Sequence, residues 1–154
     1  NLSEIQKAED NVSYYQKSNK YKIIYFYPKT RELFDYINIT LRDNDEKYII
    51  YGVRGEKEIS LDECFKIKTE QVKGLENILS HIEKREYKSS YAKIYGDSKA
   101  HTTHYSFKDG SHIRIWCADY DDNNEQVIKN LWKDGLEVSI ASKELVYFIE
   151  NEAY

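Results

Sequence analysis

His101, His104, His112 and Cys117 are residue types that ligate transition metals, and they crowd into residues 101–117. A zinc site needs four ligands converging at about 2.0–2.3 Å. Strand geometry opposes this, because positions 101 and 104 of one strand point to opposite faces. Asp109-Gly110 between two alternating runs predicts a hairpin with a two-residue loop. Lys108 then pairs with Ser111 and Phe107 with His112, His104 lies beside Ile115, and His101 lies well away from His112. A small metal-dependent enzyme is therefore the third choice, and neither metal nor cofactor is expected.

Nucleophilic chemistry fares no better. Cys64, Cys117 and several serines are present, but no G-x-S-x-G or cysteine-protease pattern accompanies them. The glycines at 52, 55, 74, 96, 110 and 135 are isolated and form no phosphate loop. Carboxylate pairs such as Asp119/Asp121 arise by chance in a chain with 27 Asp and Glu. No catalytic residue is assigned, and the chain reads as a non-enzyme.

Recognition is the better use of the same hairpin. On the two-residue-loop register, His101, Thr103, Tyr105 and Phe107 share a face with His112, Arg114, Trp116 and Ala118. Tyr105 then sits opposite Arg114, and Thr103 opposite Trp116. Tyr, Trp and Arg are enriched at interface hot spots. Ile113, Ile115 and Cys117 form the opposite, core side. The expected partner-binding surface is Tyr105, Phe107, His112, Arg114 and Trp116, with the acidic loop Asp119, Asp121, Asp122 and Glu125 beside it. The alternative, that the aromatic face is itself core, stays open.

Charge sets the kind of partner. The net charge is −4 and the pI about 5.6, whereas a nucleic-acid binder shows a basic stripe or a pI above roughly 9. A neutral or basic macromolecule fits better. The 15 tyrosines supply stiff amphipathic contact area. Cys64 and Cys117 lie in apolar runs and read as buried thiols rather than halves of a disulfide. No run approaches the ~20 apolar residues of a membrane helix and no signal peptide is visible, so cytoplasmic residence is expected.

The elements that must position these residues follow from periodicity. One domain suits the length. Within it, residues 1–19 are an N-terminal helical segment, with Ser3 as cap and Ile5, Ala8 and Val12 as its apolar side. Residues 20–86 hold strands at 20–27, 34–42, 47–53 and 58–67, then a helix from Thr69 to about Glu86. Residues 91–154 hold the strand 91–95, the hairpin 100–119, a helix over 124–133, the strand 136–141 and a last helix capped by Ser142. Tyr36, Asn38, Thr40 and Arg42 oppose Ile37, Ile39 and Leu41. Strands then a helix recur in both halves, and 48–57 looks faintly like 91–100, but no true internal repeat is expected. The fold class is α+β, a mixed or antiparallel sheet with helices packed on it.

The stretches HYSFKDGSHIRIWCADYDD (104–122) and LWKDGLEVSIASKELVYFIE (131–150), following four strands and a helix, give a chain that resembles the immunity proteins of bacterial contact-dependent growth-inhibition systems. The resemblance is to the branch similar in fold to Whirly-type single-stranded-DNA-binding domains. It implies a Whirly-like sheet and a role in binding and blocking a cognate nuclease toxin, in some members by accepting a toxin β-hairpin beside the sheet. A basic nuclease and an acidic inhibitor would attract one another electrostatically. A Whirly-like single-stranded nucleic-acid binder is the second expectation.

Overall fold

The computed structural model describes residues 12–153. The expected N-terminal helix falls mostly outside them, and its described end, Val12–Tyr15, is strand β1. The remaining strands are β2 (Ser18–Phe26), β3 (Tyr36–Arg42), β4 (Ile50–Glu58), β5 (Glu83–Ser90), β6 (Lys99–Ser106), β7 (His112–Asp119) and β8 (Gly135–Ala141). The helices are α1 (Leu61–Glu76), α2 (Glu125–Lys129) and α3 (Lys143–Asn151). All strands join one antiparallel sheet in the order β1-β2-β3-β4-β8-β7-β6-β5. Each half is therefore four strands followed by a helix, and the halves meet at β4 and β8. The topological repeat is real, but the two similar-looking segments do not correspond: 48–57 covers β4, whereas 91–100 covers a 3-10 turn (Lys93–Tyr95) and the start of β6.

The two longer helices, α1 and α3, each pack on strands of the other half. Helix α1 lies over β7 and β8, where Cys64, Val72 and Leu75 meet Ile113, Ile115, Cys117, Leu136 and Val138. Helix α3 lies on the opposite face, with Leu145 and Phe148 against Tyr21, Tyr51 and Ala141. Gly52 makes that approach possible, since a Cβ there would come within 2.5 Å of Leu145 Cδ2. The Ser142 hydroxyl caps α3 by accepting from the Leu145 N–H at 3.3 Å.

Three expectations are corrected here. Past Glu58, which ends β4, the expected strand 58–67 does not continue, because Ser60 caps α1 by accepting from the Glu63 N–H and Asp62 and Glu63 follow in the first turn. The helical stripe Leu61–Cys64–Phe65–Val72–Leu75 is hard to see because Lys68 interrupts it. Lys68 turns its ammonium to the His101 carbonyl at 2.8 Å, and burial lowers its pKa. The helix ends at Glu76, so residues expected in its last turns form β5, an exposed edge strand rich in charge.

The third correction concerns the cysteines. Cys64 and Cys117 are joined in a disulfide, with Cα atoms 5.8 Å apart, and both residues are fully buried. The bridge ties α1 to β7 across 53 residues of sequence. Breaking it should cost up to about 4 kcal/mol on loop-closure grounds. Urea unfolding of wild type with and without dithiothreitol, and of Cys117→Ala, measures this. A clearly lower midpoint on reduction is expected, and an unchanged midpoint would mean the bridge carries no stability.

Candidate functional site

The hairpin that was to present the site closes differently from the expected two-residue loop. The Phe107 N–H donates to the Ser111 carbonyl at 3.0 Å and the Gly110 N–H to the Phe107 carbonyl at 3.0 Å. Gly110 takes the left-handed conformation with φ 91°, while the Asp109 carboxylate accepts from the Ser111 N–H and hydroxyl at 2.9 and 2.6 Å. The longer loop pairs Ser106 with His112 and His104 with Arg114. A one-residue slip moves every β6 side chain to the other face. Tyr105 and His101 therefore lie on the α1 side: Tyr105 is 1% exposed and its hydroxyl donates to the Val72 carbonyl at 3.4 Å. His101 packs edge-on against Phe65. Phe107 is half-buried in the loop.

His112, Arg114 and Trp116 do share the face opposite α1, as expected, with Ala118. His104 joins them, its ring 5.0 Å from that of His112, which reverses the expected separation of His104 from this face. Among the described residues no group of three potential metal ligands forms. The acidic loop has local work. The Asp121 carboxylate accepts from the Asn123 and Asp97 N–H groups at 3.1 Å each. Asp119 lies 3.6 Å from His101, Glu125 opens α2 and Asp122 is exposed.

Antiparallel register brings Arg114 and Trp116 into two cross-strand rows. One runs His104, Arg114, Ser139, Arg54, Asn38; the other runs Thr102, Trp116, Glu137, Glu56, Tyr36. Apart from His104 and Thr102 at their outer ends, these residues floor an open cleft of ≈ 880 Å³. Leu145 and Ile149 of α3 form part of one wall. The other is aromatic: Tyr91 stacks on Tyr120 at 5.3 Å, and Trp132 meets Tyr120 at 5.5 Å and Tyr95 at 4.8 Å. The residue after β5, the 3-10 turn, the 120–124 loop and the turn after α2 carry these rings. Asp134 helps fix them by accepting from the Tyr120 N–H at 2.7 Å.

Glu56 and Glu137 face each other across β4 and β8, an arrangement that repels when both are charged. Arg54 resolves it. Its Nε lies 2.9 Å from Glu56 Oε1 and its Nη2 bonds the Glu137 carboxylate. Arg54 and Arg114 both lie over Trp116, at 5.4 and 5.7 Å from the ring centre. Glu137 is 5% exposed, and desolvation pushes its carboxyl up to about 7 although Arg54 pulls the other way. Burial works against the Arg54 charge, but Glu137 and Glu56 overcome it and hold the guanidinium above its ordinary pKa. Desolvation and the hydrogen bond to Glu56 push the Tyr36 hydroxyl up, and desolvation with the neighbouring Tyr91 does the same for Tyr120. His112 is pushed down to about 4 by burial, Arg114 and His104. Chemically, the cleft offers flat rings, guanidinium groups and one carboxyl able to exchange a proton near neutrality.

Arg54, Glu56, Glu137, Tyr36, Tyr91, Tyr120 and Trp132 were missed from sequence. A signal existed for some. In GLEVSIA (135–141), Glu137 and Ser139 alternate with Leu136, Val138 and Ile140, marking a second, polar face on a strand that the sheet buries.

The shifted groups predict an opposed pH dependence. Glu137 binds its proton more tightly folded than unfolded, so its contribution is full below about 4.5 and declines as pH rises through about 7. His112 binds its proton less tightly folded, so its contribution is full above 6.5 and declines as pH falls through about 4. Between pH 4.5 and 6.5 the two slopes offset. In Glu137→Gln the His112 slope remains, so that variant should lose about 2–3 kcal/mol more than wild type between pH 6.5 and 4.5. Urea unfolding across that range measures the difference, in which groups common to both proteins cancel. Parallel profiles would show that Glu137 does not bind its proton in this window.

No protein-family model, curated protein or solved structure matches the chain.

Proposed function

We propose that the protein is a stoichiometric inhibitor that receives a segment of a cognate bacterial toxin domain in this cleft, as an immunity protein of a contact-dependent growth-inhibition system would. The observation that carries the reading is the concentration of Trp116, Arg54, Arg114 and the Tyr91–Tyr120–Trp132 wall on one open face of the sheet. Buried, rigid aromatic and Arg anchors are what hot spots are made of. Two runs of four strands plus a helix, paired into one sheet, support the Whirly-like part of the resemblance. The acidic balance supports a basic nuclease as partner. In this reading the role is binding: Glu56 and Glu137 hold Arg54 in place over Trp116, and the aromatic wall beside them offers rigid contact area. Among the described residues no helix is long and apolar enough to cross a membrane. Cytoplasmic residence is the part of this proposal that the Cys64–Cys117 bridge counts against, since disulfides persist mainly in oxidising compartments.

A second reading, single-stranded nucleic-acid binding, is favoured by the stacked Tyr91 and Tyr120 rings. The carboxylates of Glu56 and Glu137 in the same cleft oppose it.

The test is association with the toxin domain encoded by the adjacent reading frame. Co-elution from a sizing column at micromolar concentration is expected, with Trp116→Ala weakening the complex by roughly 1–3 kcal/mol in calorimetry. Failure of the pair to associate would remove the inhibitor reading, and undiminished affinity in Trp116→Ala would move the interface off the cleft. Salt-dependent binding of an oligonucleotide in place of protein would favour the second reading.

A further inference from the structure

Arg54 and Arg114 flank Ser139 on either side, as its registered neighbours on β4 and β7. Both lie over the Trp116 ring, but they are not equivalent. Arg54 is answered by two carboxylates, Glu137 and Glu56. Arg114 has no carboxylate within ion-pair distance among the described residues, and its Nε is buried without a hydrogen-bond partner. The Ser139 hydroxyl and the His112 and His104 Nε2 atoms are buried without partners as well; the Arg54 Nε also makes no hydrogen bond, but it lies 2.9 Å from Glu56 Oε1. Ser139 and His112 are each only 8% exposed. Arg114, Ser139, His112 and His104 occupy neighbouring positions on the same face of β6, β7 and β8.

Unsatisfied buried polar groups cost free energy, and here they form a set able to donate. The Nε–H is one edge of a planar fork that fits a carboxylate. A serine hydroxyl donates one hydrogen, and a neutral imidazole donates one. We propose that the Arg114 end of the cleft is a receptor for a carboxylate, held by Arg114, Ser139 and His112, with His104 at its margin. The charge count favours a monoanion. Arg114 supplies one positive charge, the histidines are neutral near pH 7, and a dianionic phosphate would meet the nearby Glu137 and Glu56 carboxylates. The carboxylate comes either from an acidic side chain of a docked partner segment or from a free small acid. The first source rests on the inhibitor reading above, and the second does not.

The probe is acetate, titrated into the isotope-labelled protein while the Arg Nε–H and His ring resonances are followed by NMR. Chloride at matched ionic strength is the reference and inorganic phosphate the competitor. Acetate should shift the Arg114 and His112 signals saturably where chloride does not. Arg114→Gln should weaken the response about tenfold or more, and Ser139→Ala by a smaller factor. Arg114→Lys keeps the charge without the fork and should fall between wild type and Gln, and thermal unfolding of each variant confirms that it is folded. An acetate response no different from that of chloride, or one that survives Arg114→Gln, would overturn the proposal. Phosphate binding more tightly than acetate would overturn the carboxylate assignment. If Arg114→Gln weakens toxin binding too, the docked segment supplies the carboxylate; if it weakens only acetate binding, the source is a free acid. Acetate binding by a protein that fails to bind the toxin domain would leave this site standing while the inhibitor reading falls.

Discussion

The pairing of β4 with β8 is the interaction on which the rest of the molecule depends. It joins two four-stranded halves into one sheet and fixes which side chains meet at the seam. In that register Glu56 must oppose Glu137, and Arg54 must oppose Ser139. Two carboxylates at one point of a sheet are tolerable only with a cation between them, and Arg54 provides it. Trp116 then lies under Arg54 and under Arg114, so charge and aromatic surface are locked into one floor. Moving the seam by one residue would turn these groups to the α1 side and scatter the cleft.

The helices decide which parts of the two faces stay open. Helix α1 and the disulfide seal one face over β7 and β8 with an aliphatic core. Helix α3 covers the other face near β2 and β4 through Tyr21, Leu145 and Phe148. What remains open on the α3 side is the polar strip between that helix and the aromatic wall. The strip has too many buried polar atoms to be ordinary core, and it is too deeply set to be ordinary surface. This combination of desolvated charge, raised Glu137 and depressed His112 is typical of binding sites.

Much of this was legible in the sequence. The strands at 20–27, 34–42, 100–108, 111–119 and 136–141 show alternation strong enough to place them, and Ser142 announces its helix. The two sides of β7 were separated correctly, because Ile113, Ile115 and Cys117 alternate with His112, Arg114 and Trp116, while the core or interface role of the aromatic side stayed open. Errors came where a local signal had two solutions. Asp109-Gly110 suits a two-residue turn, but Gly110 in the left-handed conformation serves a longer loop here, and one residue of difference took Tyr105 from cleft to core. Residues 58–67 read as a strand after the Gly55 turn, but the stripe that makes Leu61–Ile67 helical continues past Lys68, whose ammonium reaches the His101 carbonyl. The seam of β4 with β8 joins residues far apart in the chain, so Arg54 and Glu137 belonged to no common local pattern. The disulfide was missed for the same reason.

The central claim is that the open face floored by Trp116 is the surface that receives the partner. Hydroxyl-radical footprinting of the protein alone and in complex tests this directly, because aromatic rings report oxidation at their own positions. Protection should concentrate on Trp116, Trp132, Tyr91 and Tyr120, while Tyr147, 62% exposed on α3, keeps its reactivity. Unchanged oxidation of Trp116 and Trp132 in a complex that protects the α1 side or the exposed β5 edge would contradict the account.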